Sequence, residues 1–148
     1  MKRLKTIHQL ETKFGDYERV IRFDVWSEFK IHIVFSSDLA RARIHRYETA
    51  GIASDSSTAA LYTRGSGGYG HLFFRPAACA GIITHECCHA IWHMFEWAGV
   101  TEWDNETLAY HLGYLVGEAS EFQAMILKAE DAHLKALEEG RNRNVRTK

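Results

Sequence analysis

The chain has 148 residues, 46% of them hydrophobic and 25% charged, the composition of one globular domain able to bury a core without disulfide or metal staples. Eighteen basic against nineteen acidic side chains give a formal charge of -1, which argues against a nucleic-acid binder working by bulk phosphate neutralisation. Three cysteines, two of them adjacent, make no disulfide framework and point to a reducing cytoplasmic setting. No secretory signal and no apolar run long enough to span a bilayer is read in the sequence.

Residues 20–25 alternate, with Ile21, Phe23 and Val25 on one face and Arg22 and Asp24 on the other, which predicts a half-buried strand. Residues 30–35 repeat the pattern through Ile31, Ile33 and Phe35. A short helix is expected over 38–47, capped by Ser37, with Leu39, Ile44 and Tyr47 at helical spacing. Arg41, Arg43 and Arg46 on it read as a solvated face; they are the only dense basic cluster before the tail. Residues 59–63 and 71–74 read as two more strands. The glycine-rich joint 65–70 lacks the Gly-Lys-Ser/Thr ending of a phosphate loop and runs into a strand, so it is expected to be a flexible hairpin.

The second half is helical. Pro76 suits a helix start and Gly99 a helix end, so residues 77–97 read as one helix. Another begins near Asp104, capped by Asp104 or by Thr101, and continues to Gly140, either unbroken or as two helices joined at 117–120. Residues 1–140 are therefore expected to form a single domain and 141–148 a basic, disordered tail. Trp92, Trp97 and Trp103 are expected to build the core. The stripe Phe122, Met125, Ile126, Ala129 and Leu137 is expected to pack on the domain or, if the helix projects, on a second copy or a partner.

The sharpest feature is His85-Glu86-Cys87-Cys88-His89, an H-E-x-x-H pattern. On a helix, residues four apart lie one turn above one another, so both imidazoles can reach a single metal ion. Glu86, rotated by about 100°, sits beside that ion, placed to take a proton from a metal-bound water. The motif lies between Ile82-Ile83 and Ala90-Ile91-Trp92, an apolar setting in which two unpartnered histidines would be costly. A catalytic zinc needs a third protein ligand. His93 is about 12 Å along the axis from His85, which suits packing or a supporting contact instead. Phe95 and Trp92 occupy the positions of the third histidine and the glycine in the longer H-E-x-x-H-x-x-G-x-x-H pattern. Glu106, in the first turn of the next helix, is the best candidate, with Glu102, Asp104 and His111 in competition. Ala109, Gly113 and Gly117 would let the two helices approach closely. Cys87 and Cys88 read as packing residues; a mixed His/Cys structural site would want separated ligand pairs.

With its downstream Asn-Glu-x-x-Ala-Tyr, the motif resembles the zincin metallopeptidases whose third ligand is a glutamate, the gluzincin pattern. Residues 37–115 resemble, more narrowly, small phage- or prophage-encoded zinc metallopeptidases. The resemblance implies an α+β zincin-like domain. In it a small, mostly antiparallel sheet packs on the zinc helix, a second helix carries the third ligand, and a long C-terminal helix follows. It also implies one Zn2+ per chain held by His85, His89 and Glu106, Glu86 as general base, a peptide substrate and a host-cell cytoplasmic location. Tyr110, one turn beyond Glu106, is the candidate for stabilising the oxyanion, with Tyr69 and His111 as weaker ones. Residues 71–74 are expected to border the cleft with a free strand edge for an extended peptide. The competing class is a non-catalytic zinc-binding interaction module on the same fold.

Overall fold

The computed structural model describes residues 16–24, 26–46, 58–65 and 67–146. In chain order it contains β1 (Tyr17–Arg22), β2 (Lys30–Phe35), α1 (Leu39–Arg46), β3 (Ala60–Arg64), β4 (Tyr69–Phe74), α2 (Ala80–Trp97) and α3 (Asn105–Arg146). The fold is α+β: one four-stranded sheet in the order β1-β2-β4-β3, with helices on both faces. The β1–β2 and β3–β4 pairs are antiparallel, but β2 and β4 run parallel. The sheet is thus mixed, and with two of its three pairings antiparallel it is mostly antiparallel, as expected. A parallel pair requires a crossover, and α1 lies in that connection, packing Leu39 and Ala42 on Val34 and Phe73.

The main core lies between the other sheet face and α2 and α3. Ile21, Ile31, Ile33, Phe35, Leu72 and Phe74 from the strands meet Ile83, Cys87, Ile91, Met94 and Phe95 of α2. Leu115, Ala119, Phe122 and Ile126 of α3, spaced by four, three and four, close it. The expected close approach through Gly113 and Gly117 is not how these helices meet, because a Cβ on either would touch nothing within 4 Å. The tryptophans are not core residues either: Trp92, Trp97 and Trp103 are all more than two-fifths exposed.

β1 starts three residues before the expected strand because its inward face reads Tyr17, Arg19, Ile21, and the buried arginine hides the alternation. Arg19 is paired across the core through its terminal nitrogens, while its buried Nε has no hydrogen-bond partner among the described residues. Its guanidinium reaches Glu118 Oε2 at 2.9 Å and lies 5.0 Å from the centre of the Phe122 ring. Val25 and Tyr47, part of the expected strand and helix, lie outside the described residues. Asp38, not Ser37, caps α1, its Oδ1 accepting the Arg41 N–H at 3.0 Å. Arg43 is buried rather than solvated, and Arg41 bridges to buried Asp16.

Helix α2 starts at Ala80, and the turn before it is held by Gln123 of α3, which donates to Pro76 O and Ala78 O. Gly99, at φ +70°, ends it. Asp104 caps α3 by accepting the Thr107 N–H at 2.7 Å, and this bond holds its carboxyl below the ordinary range. α3 is one unbroken helix of 42 residues. It passes Gly117 and Gly140 at the modest cost of a helical glycine, about 1 kcal/mol each, and its helical part includes residues 141–146 of the expected tail. Residues 131–142 are exposed along it. Among the described residues, no helix is long and apolar enough to cross a membrane.

Candidate metal centre

α2 buries Ile83, Cys87, Ala90, Ile91, Met94 and Phe95, and this core stripe fixes where its other faces point. His85 and His89 fall on the outer face and are exposed, so the expectation of a histidine pair enclosed in apolar surroundings does not hold. Their rings stand edge to face at 81°, with Nε2 of one 3.2 Å from Nε2 of the other. Two ligand atoms on a tetrahedral zinc with bonds of about 2.0–2.1 Å stand about 3.3 Å apart. The pair is therefore already spaced as two ligands of one ion, although the same separation serves a hydrogen bond between the rings.

Glu86 and His89 face an open cleft between α2 and β3, lined also by Ala60, Leu61, Tyr62 and Arg64. β4, expected to border this cleft with a free edge, is instead a central strand between β2 and β3. The strand at the sheet margin beside the cleft is β3, which pairs only with β4 among the described strands.

Further along the same helix face, His93 is buried, with Nδ1 2.5 Å from the Tyr62 hydroxyl. Burial, reinforced by nearby Arg64 and opposed by Glu96, holds its pKa below the ordinary imidazole value. Gly70 makes room for this contact, since a Cβ there would overlap the Tyr62 phenol. Arg64 in turn reaches Glu96 at 2.6 Å. The supporting role expected of His93 thus takes the form of positioning Tyr62 at the cleft wall. Burial pushes the Cys87 thiol up to about 12, with Glu86 and Cys88 adding to the effect; this is a packing cysteine, inert as a nucleophile.

The third expected ligand is placed elsewhere. Glu106 is exposed in the first turn of α3. Phe95, near the end of α2, packs tilted against Trp103 and edge-on against His111, whereas Gln123 meets the start of α2. The helices therefore run antiparallel, and the first turn of α3 lies toward the end of α2 away from His85. The donor atoms of His85, His89 and Glu106 are not gathered within 4.8 Å of one another. Among the competitors, Asp104 is the helix cap, Glu102 is exposed, and His111 is buried against Phe23, Trp26 and Phe95. Tyr110 is 72% exposed and lines a different cleft with Phe23, Asp24, His111 and Tyr114. Tyr69 lies beside His32 and His71 on the far side of the sheet.

Tyr62 and Arg64 were not singled out in the sequence. Their importance depends on β3 lying at the sheet margin beside α2, a property of strand order rather than of local pattern. No protein-family model, curated protein or solved structure matches this chain.

Proposed function

We propose that the protein is a zinc-dependent metallopeptidase whose centre is built on α2. The observation that carries this reading is the His85–His89 pair, its nitrogens at the spacing of two zinc ligands, with Glu86 facing the same cleft. His85 and His89 would hold the metal, and Glu106 is the third ligand that the gluzincin resemblance assigns. A zinc ion held there would supply Lewis acidity toward water and a scissile carbonyl. Glu86 accepts a proton from the attacking water and returns it to the leaving amine. Tyr62, held by His93 on the wall of this cleft, is better placed than Tyr110 to donate a hydrogen bond to the developing oxyanion. An extended peptide would pair with the outer edge of β3. Three free cysteines accord with a reducing cytoplasm.

Metal analysis of protein purified without an affinity tag or chelators, beside Glu106→Ala, tests the centre. About one zinc at the α2 pair, weakened in the variant, supports a two-histidine, one-glutamate centre. Full retention by Glu106→Ala moves the third ligand elsewhere. No uptake with the fold intact ends the peptidase reading. The separation of Glu106 from the histidines favours one second reading, a zinc-binding interaction module without hydrolysis. Partner binding that survives Glu86→Gln, with no peptide cleaved by the parent, would distinguish it.

A further inference from the structure

The sheet face turned away from α2 and α3 carries a second group of ligating side chains. Strand alternation sends Arg19, Ile31, Ile33, Leu72 and Phe74 to the main core, and Glu18, His32 and His71 to the opposite side. α1 covers Val34 and Phe73 farther along that side. His32 and His71 are register partners in the parallel β2–β4 pair, their rings stacked 4.5 Å apart at 23°. Glu18 Oε1, from β1, is 2.8 Å from His32 Nδ1. One donor atom from each residue lies within 4.8 Å of the other two, and among the described residues no other such trio forms. His71 is buried between neighbouring rings of Tyr69 and Phe73, while Glu18 and His32 keep about a quarter of their side-chain surface exposed. The cluster thus has a fixed base and a solvent-facing side.

We propose that Glu18, His32 and His71 form a second metal site, selective for a borderline divalent ion such as Zn2+ or Co2+. Two imidazoles and a carboxylate are a donor set such ions accept, and three protein ligands leave a position for water. The ion replaces the proton shared by His32 and Glu18. That pair opens from 2.8 Å toward the roughly 3.3 Å spacing of tetrahedral ligands, and the proton leaves to solvent. Because the three ligands come from β1, β2 and β4, the ion ties the parallel junction of the sheet to its outer hairpin.

The α2 pair must be removed to see this site alone. In a His85→Ala/His89→Ala double variant, calorimetric titration with Co2+ should show one ion per chain, a visible d–d spectrum and a raised Tm. Adding Glu18→Gln, which keeps shape at a partly exposed position, should weaken binding at least about tenfold, and His32→Ala should do so more strongly. No uptake by the double variant, with its circular dichroism and cooperative unfolding unchanged, would overturn the proposal. Uptake indifferent to both Glu18→Gln and His32→Ala would overturn it equally, by placing the ion elsewhere. Conversely, Glu18→Gln alone reports on the α2 centre, so either site can fail without the other.

Discussion

The two histidine pairs of this molecule are built by opposite means. His85 and His89 are one helical turn apart, on an exposed face whose geometry any intact helix would provide. His32 and His71 are 39 positions apart and come together only because β2 and β4 run side by side in register. The helical pair faces water, with His89 on the cleft; the sheet pair is stacked, partly enclosed and already bonded to a carboxylate. A pair carried by one helix can belong to a catalytic site, because it leaves coordination positions and substrate access free. One locked between strands is suited to holding an ion that stiffens the sheet.

The largest expected effect separates the two by chemistry. If the α2 centre is the proposed peptidase site, Glu86→Gln should lower peptide hydrolysis by a factor on the order of 10²–10⁴, the usual contribution of a general base, and leave metal uptake at both pairs unchanged. Loss of metal together with activity would instead make Glu86 a ligand. A second substitution separates them by stability. Phe122 of α3 packs edge-on against Phe35 of β2 and under the Arg19 guanidinium, so Phe122→Ala should cost about 3–5 kcal/mol in denaturant unfolding. Below the midpoint both metal capacities should persist. If ion uptake by the sheet cluster fell while the α2 pair was untouched, the β1–β2–β4 platform would depend on α3, and the two pairs would differ in rigidity as well as in origin.

Much of this contrast follows from what a sequence can express. The helical pair was legible because a period of about 3.6 residues converts the spacing of His85 and His89 directly into a shared face. The Asp104 cap and the Gly99 stop were legible for the same local reason. The trio Glu18, His32 and His71 was not, because nothing local says that β2 and β4 pair in parallel with β3 displaced to the margin. Tyr62 escaped notice on the same ground. Arg19 misled in another way: a charged residue on the inward face breaks the apolar alternation, and its partner Glu118 is 99 positions away. The exposure of His85 and His89 is hidden in the sequence, because flanking isoleucines do not say how much of the helix circumference is apolar. They mark one stripe only, and the histidines lie outside it.

A smaller effect should appear in the pH dependence of the α2 side. His93 has a folded pKa held below its ordinary value, chiefly by burial, so the unfolded chain binds the proton more readily. Stability should therefore be insensitive to His93 above the unfolded value near 6.5 and should fall as pH drops from there through the lowered folded pKa. His93→Gln should remove that part of the slope. The measurement is unfolding free energy against pH for parent and variant, and identical slopes would show that His93 is not the group responsible. The sheet cluster has its own acid limit, since ion binding there requires neutral imidazoles, but that limit appears only when metal is added.

Arg64→Ala should give the smallest change in stability, and its value lies in what else it moves. Arg64 and Glu96 form an ion pair at 2.6 Å with both side chains more than half exposed, so losing it should cost less than about 1 kcal/mol, and less again at high salt. Arg64 also lowers the pKa of His93, against the opposing pull of Glu96. Its removal leaves Glu96 unopposed, so an NMR titration should find the His93 pKa raised toward the ordinary value. Were it to stay put, burial alone would account for the neutral ring, and the contact between His93 and Tyr62 would be fixed by packing rather than tuned by the charges at the mouth of the cleft.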